Sequence, residues 1–162
     1  MSSSDPFSIH RLAATDTALM DAMLTTFGEA FDEVETYGGC RPGAAYMERL
    51  LGSDHFIALA ALSHDKVVGG LAAYVLPKFE QERREIHLYD LAVDAGYRRL
   101  GIATALIAEL RKIAAAKGAY LIFVQADQGD DPAINLYTKL GAREDILHFD
   151  IRVEDLSSGT DE

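Results

Sequence analysis

Residues 93–104, Val93-Asp94-Ala95-Gly96-Tyr97-Arg98-Arg99-Leu100-Gly101-Ile102-Ala103-Thr104, place two arginines and a glycine where a β-rich run gives way to a helical pattern. A helix start leaves its first backbone N–H groups without carbonyl partners, at the positive end of the helix dipole. Gly101 and Ala103 have almost no side chain, so a bulky anion can come against the backbone, and Arg98 and Arg99 add two cations. Such a set suits a pyrophosphate. Without a ligand, the same residues are a helix start with a surface arginine pair and small residues for close packing. Other chemistries find no footing. The chain has no G-x-x-x-x-G-K-[ST] loop, no G-x-G-x-x-G after its first strand and no G-x-S-x-G elbow. His10, His55, His64, His87 and His148 show no helical pairing with a carboxylate that would hold zinc, and the single Cys40 has no partner thiol, so no metal is expected.

The charge balance narrows the class of ligand. Lys and Arg number 15 against 26 Asp and Glu, a net charge of −11 over 162 residues. A field of that sign repels nucleic-acid phosphates and anionic lipid, and it concentrates cationic small molecules. Nucleic acid and membrane are therefore not expected partners. The longest apolar run, Phe56 to Leu62, is far short of a membrane span. Met1 to Pro6 is a polar lead-in, so the cytoplasm is the expected compartment.

The elements that position the arginine turn follow from periodicity. Phe7 to Leu12 reads as a first strand. Asp16 is placed to cap a helix whose Leu19, Met23, Phe27 and Phe31 recur at spacings of three and four. Acids from Glu29 to Glu35 follow, then a break at Gly38-Gly39 and a short helix over residues 44–51. Phe56 to Leu62 and Val67 to Leu76 form a hairpin about Ser63-His64-Asp65-Lys66, with Pro77 as its end. The fourth strand runs from Glu85 to Val93. A long helix begins near Leu100, buries Ala103, Leu106, Ile107, Leu110, Ile113 and Ala114, and stops at Gly118. Tyr120 to Ala126 is a nearly all-apolar fifth strand, expected to be covered on both faces. Asp131-Pro132 opens a short helix with the aspartate as cap, and Ile146 to Ile151 is expected to close the sheet. One α/β domain over 1–152 with a mixed sheet is expected, and 153–162 is an acidic tail.

Arg98-x-x-Gly101-x-Ala103 resembles the Q/R-x-x-G-x-G/A signature of the GNAT N-acetyltransferases, at the place where that family carries it. Asp130-Asp131-Pro132-Ala133-Ile134-Asn135-Leu136-Tyr137-Thr138-Lys139-Leu140-Gly141 resembles the family's second motif, N-x-x-A-x-x-L-Y-x-K-x-G-F, with Asp130 in place of Asn and Ala142 in place of Phe. Phe56 to Ala61, Ala72 to Gln81, Tyr89 to Val93, Val124 to Asp127 and His148 to Ile151 are similar to the type I aminoglycoside 3-N-acetyltransferases, which modify gentamicin. The likeness spans roughly residues 20 to 152, and departs at His87 and Gln128, where those relatives carry tyrosine. The resemblance implies a GNAT fold: a mixed, mostly antiparallel sheet of roughly six or seven strands, parallel splayed strands four and five, and helices on both faces. It implies acetyl-CoA bound by Leu91, Ala92, Val93, Arg98, Arg99, Leu100, Gly101, Ile102, Ala103, Thr104, Asp130, Ala133, Tyr137 and Lys139. It also implies a homodimer.

Acetyl transfer needs a neutral amine, an acceptor for its proton and a donor for the departing thiolate. Asp90 is the first choice to orient or deprotonate the amine, directly or through water; as a structural residue it would cap loop N–H groups. His87 titrates near neutral pH and is the second choice. Strict alternation puts His87 and Asp90 on opposite faces, so a bulge is required for both to reach one cleft. The family likeness sets Tyr137 beside the sulfur as general acid. Glu80, Glu85, Asp90, Asp127, Asp131 and Asp150 are the expected acids for a cationic aminoglycoside, with the Glu29 to Glu35 group shaping one wall. A polyamine or a protein amino terminus as acceptor, or a non-catalytic acyl-CoA-binding module, are the competing readings.

Overall fold

The computed structural model describes residues 6–154. The chain separates into two compact units, with the boundary between Gln125 and Ala126.

The first unit is built on a sheet of five strands in the order of the chain: β1 (Ser8–Arg11), β2 (Phe56–Ser63), β3 (Lys66–Pro77), β4 (Arg84–Val93) and β5 (Ala119–Val124). All neighbours are antiparallel except β4 and β5, which are parallel. The hairpin turns where the sequence places it: Ser63 pairs with Lys66, and His64 and Asp65 both take positive φ, 52° and 65°. That handedness matches the twist of the flanking strands. Helices α1 (Thr17–Ala30), α2 (Val34–Gly38), α3 (Ala44–Leu51) and α4 (Ile102–Ala116) complete the unit.

The alternation of the strands gives each face its own helix. Gly69 and Gly70 on β3 make this visible. A Cβ on Gly70 would meet Met23 of α1 at 3.0 Å and the Leu59 carbonyl at 2.9 Å. A Cβ on Gly69 would meet Ile102 of α4 at 3.2 Å. Neighbouring residues of one strand thus face α1 and α4 in turn, and only glycine lets both helices lie so close. Met20, Met23 and Phe27 fill the α1 side with Ala58, Ala60, Ala72 and Ala92. Ile102, Leu106, Ile107, Leu110, Ile113 and Ala114 are the buried stripe of α4, as the spacing predicts, except that Ala103 is half-exposed.

The remaining differences have local causes. Asp16 stands at the start of α1 but does not cap it. Its carboxylate turns back to accept from the Ala13 N–H at 2.7 Å and contacts His10 at 3.2 Å, and the backbone bond holds its pKa below the usual carboxylate value. Residues 34–38, expected as the end of an acidic run, form the helical turn α2. The fifth strand is not covered on both faces: it pairs with β4 alone among the described residues, and Tyr120 and Leu121 are exposed.

The second unit holds α5 (Asp131–Leu140). Its cap is Asp130 rather than Asp131: the Asp130 carboxylate accepts from the Ala133 N–H at 3.3 Å, and Pro132 occupies the first turn, where no N–H is missed. The expected strand at 146–151 is absent, so among the described residues the sheet has five strands. A strand exists only where a neighbour completes its ladder, and this segment has none among the described residues. Ile146, Leu147, Phe149 and Ile151 are exposed, and His148 pairs with Asp150 at 2.9 Å. Most of the expected acidic tail, from residue 155 on, lies outside the described residues.

Candidate active site

The β4 strand carries the site because it leaves both regular pairing and regular alternation. Its ladder with β5 runs from Arg84 to Leu88, where Leu88 pairs with Val124. Beyond that point β4 continues to Val93 paired with β3 only. The two parallel strands therefore part, and the peptide groups of residues 89–93 on that edge are open to an extended ligand chain. Leu91, Ala92 and Val93, expected to bind the donor, lie in this stretch.

The chain then enters the arginine turn. Asp94 caps a single 3₁₀ turn (Ala95–Tyr97), its Oδ1 accepting from the Gly96 N–H at 2.9 Å. Arg99 and Gly101 take φ of 66° and 84°. A Cβ on Gly101 would meet nothing within 4 Å, so glycine is required there by the left-handed backbone rather than by crowding. The first bond inside α4 runs from the Ala105 N–H to the Gly101 carbonyl at 3.0 Å. The N–H groups of Ile102, Ala103 and Thr104 precede it and are the orphan donors of the helix start. Ile102 is buried, so it can offer only its backbone; Arg98, Arg99, Leu100, Gly101 and Thr104 are exposed. Arg98 donates from Nε to the Val93 carbonyl at 3.4 Å. It also lines a cavity of about 140 Å³ with Thr26, Glu29, Ala30, Asp94 and Ala95. These donors and guanidinium groups fit a pyrophosphate, and the open edge of β4 fits the arm attached to it.

The bulge needed for His87 and Asp90 to reach one cleft is present. Ala72 pairs with Asp90 and Ala73 with Leu88, which leaves Tyr89 as the extra residue. Upstream, Ile86 and Leu88 are buried while His87 stands opposite Tyr74. Downstream, Asp90 and Ala92 take the α1 side. The change of phase brings His87 and Asp90 onto one face, and the Tyr89 ring lies 5.4 Å from the imidazole.

Asp90 is half-buried and accepts a hydrogen bond from the Tyr37 hydroxyl of α2 at 2.8 Å. Burial pushes its carboxyl above the usual carboxylate value; the Tyr37 bond opposes this, and the nearby Glu33 charge adds to it. Burial and the same carboxylate push the Tyr37 phenol well up, so it remains a donor. Sequence reasoning missed Tyr37. The available signal was a tyrosine just after the acid run and before Gly38-Gly39; its ring packs on Phe27 and Phe31 at 6.0 and 5.7 Å. Replacing Tyr37 with Phe is expected to move the Asp90 carboxyl further up, since the one interaction favouring its anion is lost. Carbon-13 titration of the Asp90 carboxyl in both proteins checks this.

His87 stacks on Phe123 at 4.4 Å, and burial holds its pKa below the ordinary value, so the ring is neutral at neutral pH. Glu80 and Glu85 lie together near the β3–β4 connection, each already facing cations. Lys78 is 3.9 Å from Glu80 and 3.4 Å from Glu85, Arg83 is 3.1 Å from Glu80, and the Tyr120 hydroxyl donates to Glu85. Asp127, Asp130, Asp131, Ala133, Tyr137, Lys139 and Asp150 belong to the second unit. Asp127, Asp131, Lys139 and Asp150 are exposed there, and Ala133 and Tyr137 are half-buried. Among the described residues no group of three or more His, Cys, Asp or Glu is arranged to hold a metal ion, and no helix is long and apolar enough to cross a membrane.

The Acetyltransferase (GNAT) family model matches residues 18–142, from α1 through α5. The chain belongs to the GNAT acetyltransferase family. GNAT acetyltransferases use acetyl-CoA, whose pyrophosphate and pantetheine arm are the chemistry that the arginine turn and the open β4 edge fit. Among solved structures, this GNAT chain is similar to an aminoglycoside acetyltransferase from an uncultured soil metagenomic sample. That match has 59% identity and a TM-score of 0.90, and covers 95% of this chain and 100% of the other. A second aminoglycoside acetyltransferase from such a sample, solved in complex with sisomicin, shows 32% identity and a TM-score of 0.84 over 92% and 97% of the two chains. A glucosamine 6-phosphate N-acetyltransferase of Trypanosoma brucei brucei is 34% identical over 48% of this chain and 52% of its own. The chain spans about half the length of the curated relatives it matches.

Proposed function

We propose that this GNAT protein transfers the acetyl group of acetyl-CoA to an amine of an aminoglycoside, by direct attack with donor and acceptor bound together. The 59% identity to an aminoglycoside acetyltransferase along 95% of the chain is the observation that carries this reading. The 3-amine of the 2-deoxystreptamine ring, as in gentamicin, is the acceptor atom that the segments from Phe56 onward favour. A homodimer and a cytoplasmic location belong to the same reading.

Acetyl-CoA supplies an acyl group activated as a thioester. The N–H groups of Ile102, Ala103 and Thr104, with Arg98 and Arg99, hold its pyrophosphate, and the β4 backbone at 91–93 holds the arm; Asp130, Ala133 and Lys139 belong to the same donor-binding set. Asp90 orients the amine and takes its proton at the carboxylate. An acid whose pKa is raised toward neutrality is a better proton acceptor than an ordinary surface carboxylate. The amine nitrogen gains the carbonyl carbon and loses a proton; the carbon–sulfur bond breaks. Tyr137 gives the proton of its hydroxyl to the departing sulfur. His87, neutral beside Tyr89, can accept a hydrogen bond from a second substrate group. Asp127, Asp131 and Asp150 add to the acidic field, with Glu80 and Glu85 contributing less because cations already face them.

Thiol release from acetyl-CoA, followed with gentamicin, spermidine and a peptide panel, tests the proposal. Saturable release with gentamicin, and acetylation mapped to the 3-amine, is expected. Release with spermidine or a peptide but not gentamicin would replace the acceptor. Tight coenzyme A binding with no release from any acceptor would make the protein a binding module.

A further inference from the structure

A row of rings crosses the sheet face beside Asp90. Phe56 and Tyr74 lie 5.3 Å apart, Tyr74 and Tyr89 5.5 Å, Tyr89 and His87 5.4 Å, and His87 and Phe123 4.4 Å. The row begins in the core, where Phe56 is 4% exposed, and rises to the surface, where Tyr74 is 39% and Tyr89 59% exposed. Tyr89 is the bulged residue of β4, and a bulge re-aims its side chain out of the regular pleat. Its ring touches Tyr74 and His87, and its hydroxyl has no hydrogen-bond partner among the described residues. Folding therefore draws little from this side chain. A large ring held in the open by its neighbours, next to a half-buried carboxylate, is a surface prepared for a ligand.

We propose that Tyr74, Tyr89 and His87, with Asp90 at their side, form a platform that selects an amino-sugar ring as acceptor. The inference rests on the acetyltransferase reading above and names what that site recognises. The chemistry is twofold. An amino sugar has a flat face of C–H groups that lies well on an aromatic surface, and its ammonium group reaches sideways to a carboxylate. The Tyr89 and Tyr74 rings meet edge to face at 88°, so their contact is not a stack that hides both ring surfaces from the ligand. The chain's net charge of −11 favours the same polycationic occupant. A linear polyamine satisfies the charge but has no ring face to offer, so the platform discriminates between two acceptors that electrostatics alone treats alike.

Calorimetric titration of gentamicin and spermidine into wild-type protein, Tyr89→Leu and Tyr89→Phe separates the possibilities. Leucine keeps apolar bulk and removes the ring, so gentamicin binding is expected to weaken about five- to tenfold, the order of an aromatic contact beyond its area. Phenylalanine should stay within about twofold of wild type, because its ring persists, and spermidine should change little in either variant. Unchanged gentamicin affinity in Tyr89→Leu, or equal weakening of both ligands, overturns the platform while leaving the acetyltransferase reading intact. Wild-type protein that binds no gentamicin overturns the acceptor assignment and the platform together. If the leucine variant does not fold, as judged by its loss of coenzyme A binding, Tyr74→Leu carries the same comparison.

Discussion

Asp90→Asn lowers kcat for gentamicin by about 10²- to 10⁴-fold, the usual worth of a positioned acid–base group, while coenzyme A affinity stays near that of wild type. Asparagine is close to isosteric and can still accept the hydrogen bond that Tyr37 donates at 2.8 Å, so the loss reports the charge and the proton acceptor rather than a collapsed contact. The pH dependence gives a second readout. In the wild-type protein, burial holds the Asp90 carboxyl above the ordinary carboxylate value. Activity is expected to be present above that raised pKa and to fall as the pH drops through it, because the protonated acid cannot take the amine's proton. The asparagine variant has no such group, and its residual rate should lose this acidic limb. Steady-state rates across pH check both points. Equal turnover by the two proteins would remove Asp90 from proton transfer.

Tyr137→Phe should cost a comparable factor, about 10²- to 10⁴-fold in kcat, through the opposite end of the reaction. A phenol with a reference pKa of about 10 stays protonated at neutral pH and can donate to a thiolate whose conjugate acid is near 8.5. Phenylalanine keeps the ring and the helical position on α5 and removes the hydroxyl. An acetyl donor with a more acidic leaving thiol needs less help at the sulfur, so the deficit should shrink with that donor. A general loss of packing would show no such dependence on the leaving group. Turnover equal to wild type with acetyl-CoA would take Tyr137 out of the mechanism.

Particular residues show what could be read from the chain. The α4 stripe from Leu106 to Ala114 and the turn at Ser63 to Lys66 follow local rules, periodicity in one case and hairpin handedness in the other, and both appear in the structure. The bulge at Tyr89 was legible through its consequence: a histidine and an aspartate three residues apart can share a face only if the strand slips. Tyr37 could be noticed only as a tyrosine beside the acid run; its pairing with Asp90 was not legible, because the partner lies 53 residues away. The Tyr120 hydroxyl that donates to Glu85 was hidden for the same reason, since it comes from 35 residues downstream. A closing strand is expected at 146–151, but a local run of residues cannot state whether a neighbour exists to pair with it.

The extra residue in β4 makes the length of that strand a functional quantity. Before it the odd-numbered His87 lies on the α1 side, and after it the even-numbered Asp90 and Ala92 do. An insertion or deletion between Ile86 and Ala92 would exchange those sides, turning the carboxylate inward and a leucine outward without altering any residue's identity. Substitution tables therefore understate how tightly this strand is constrained; counting is what it cannot survive losing.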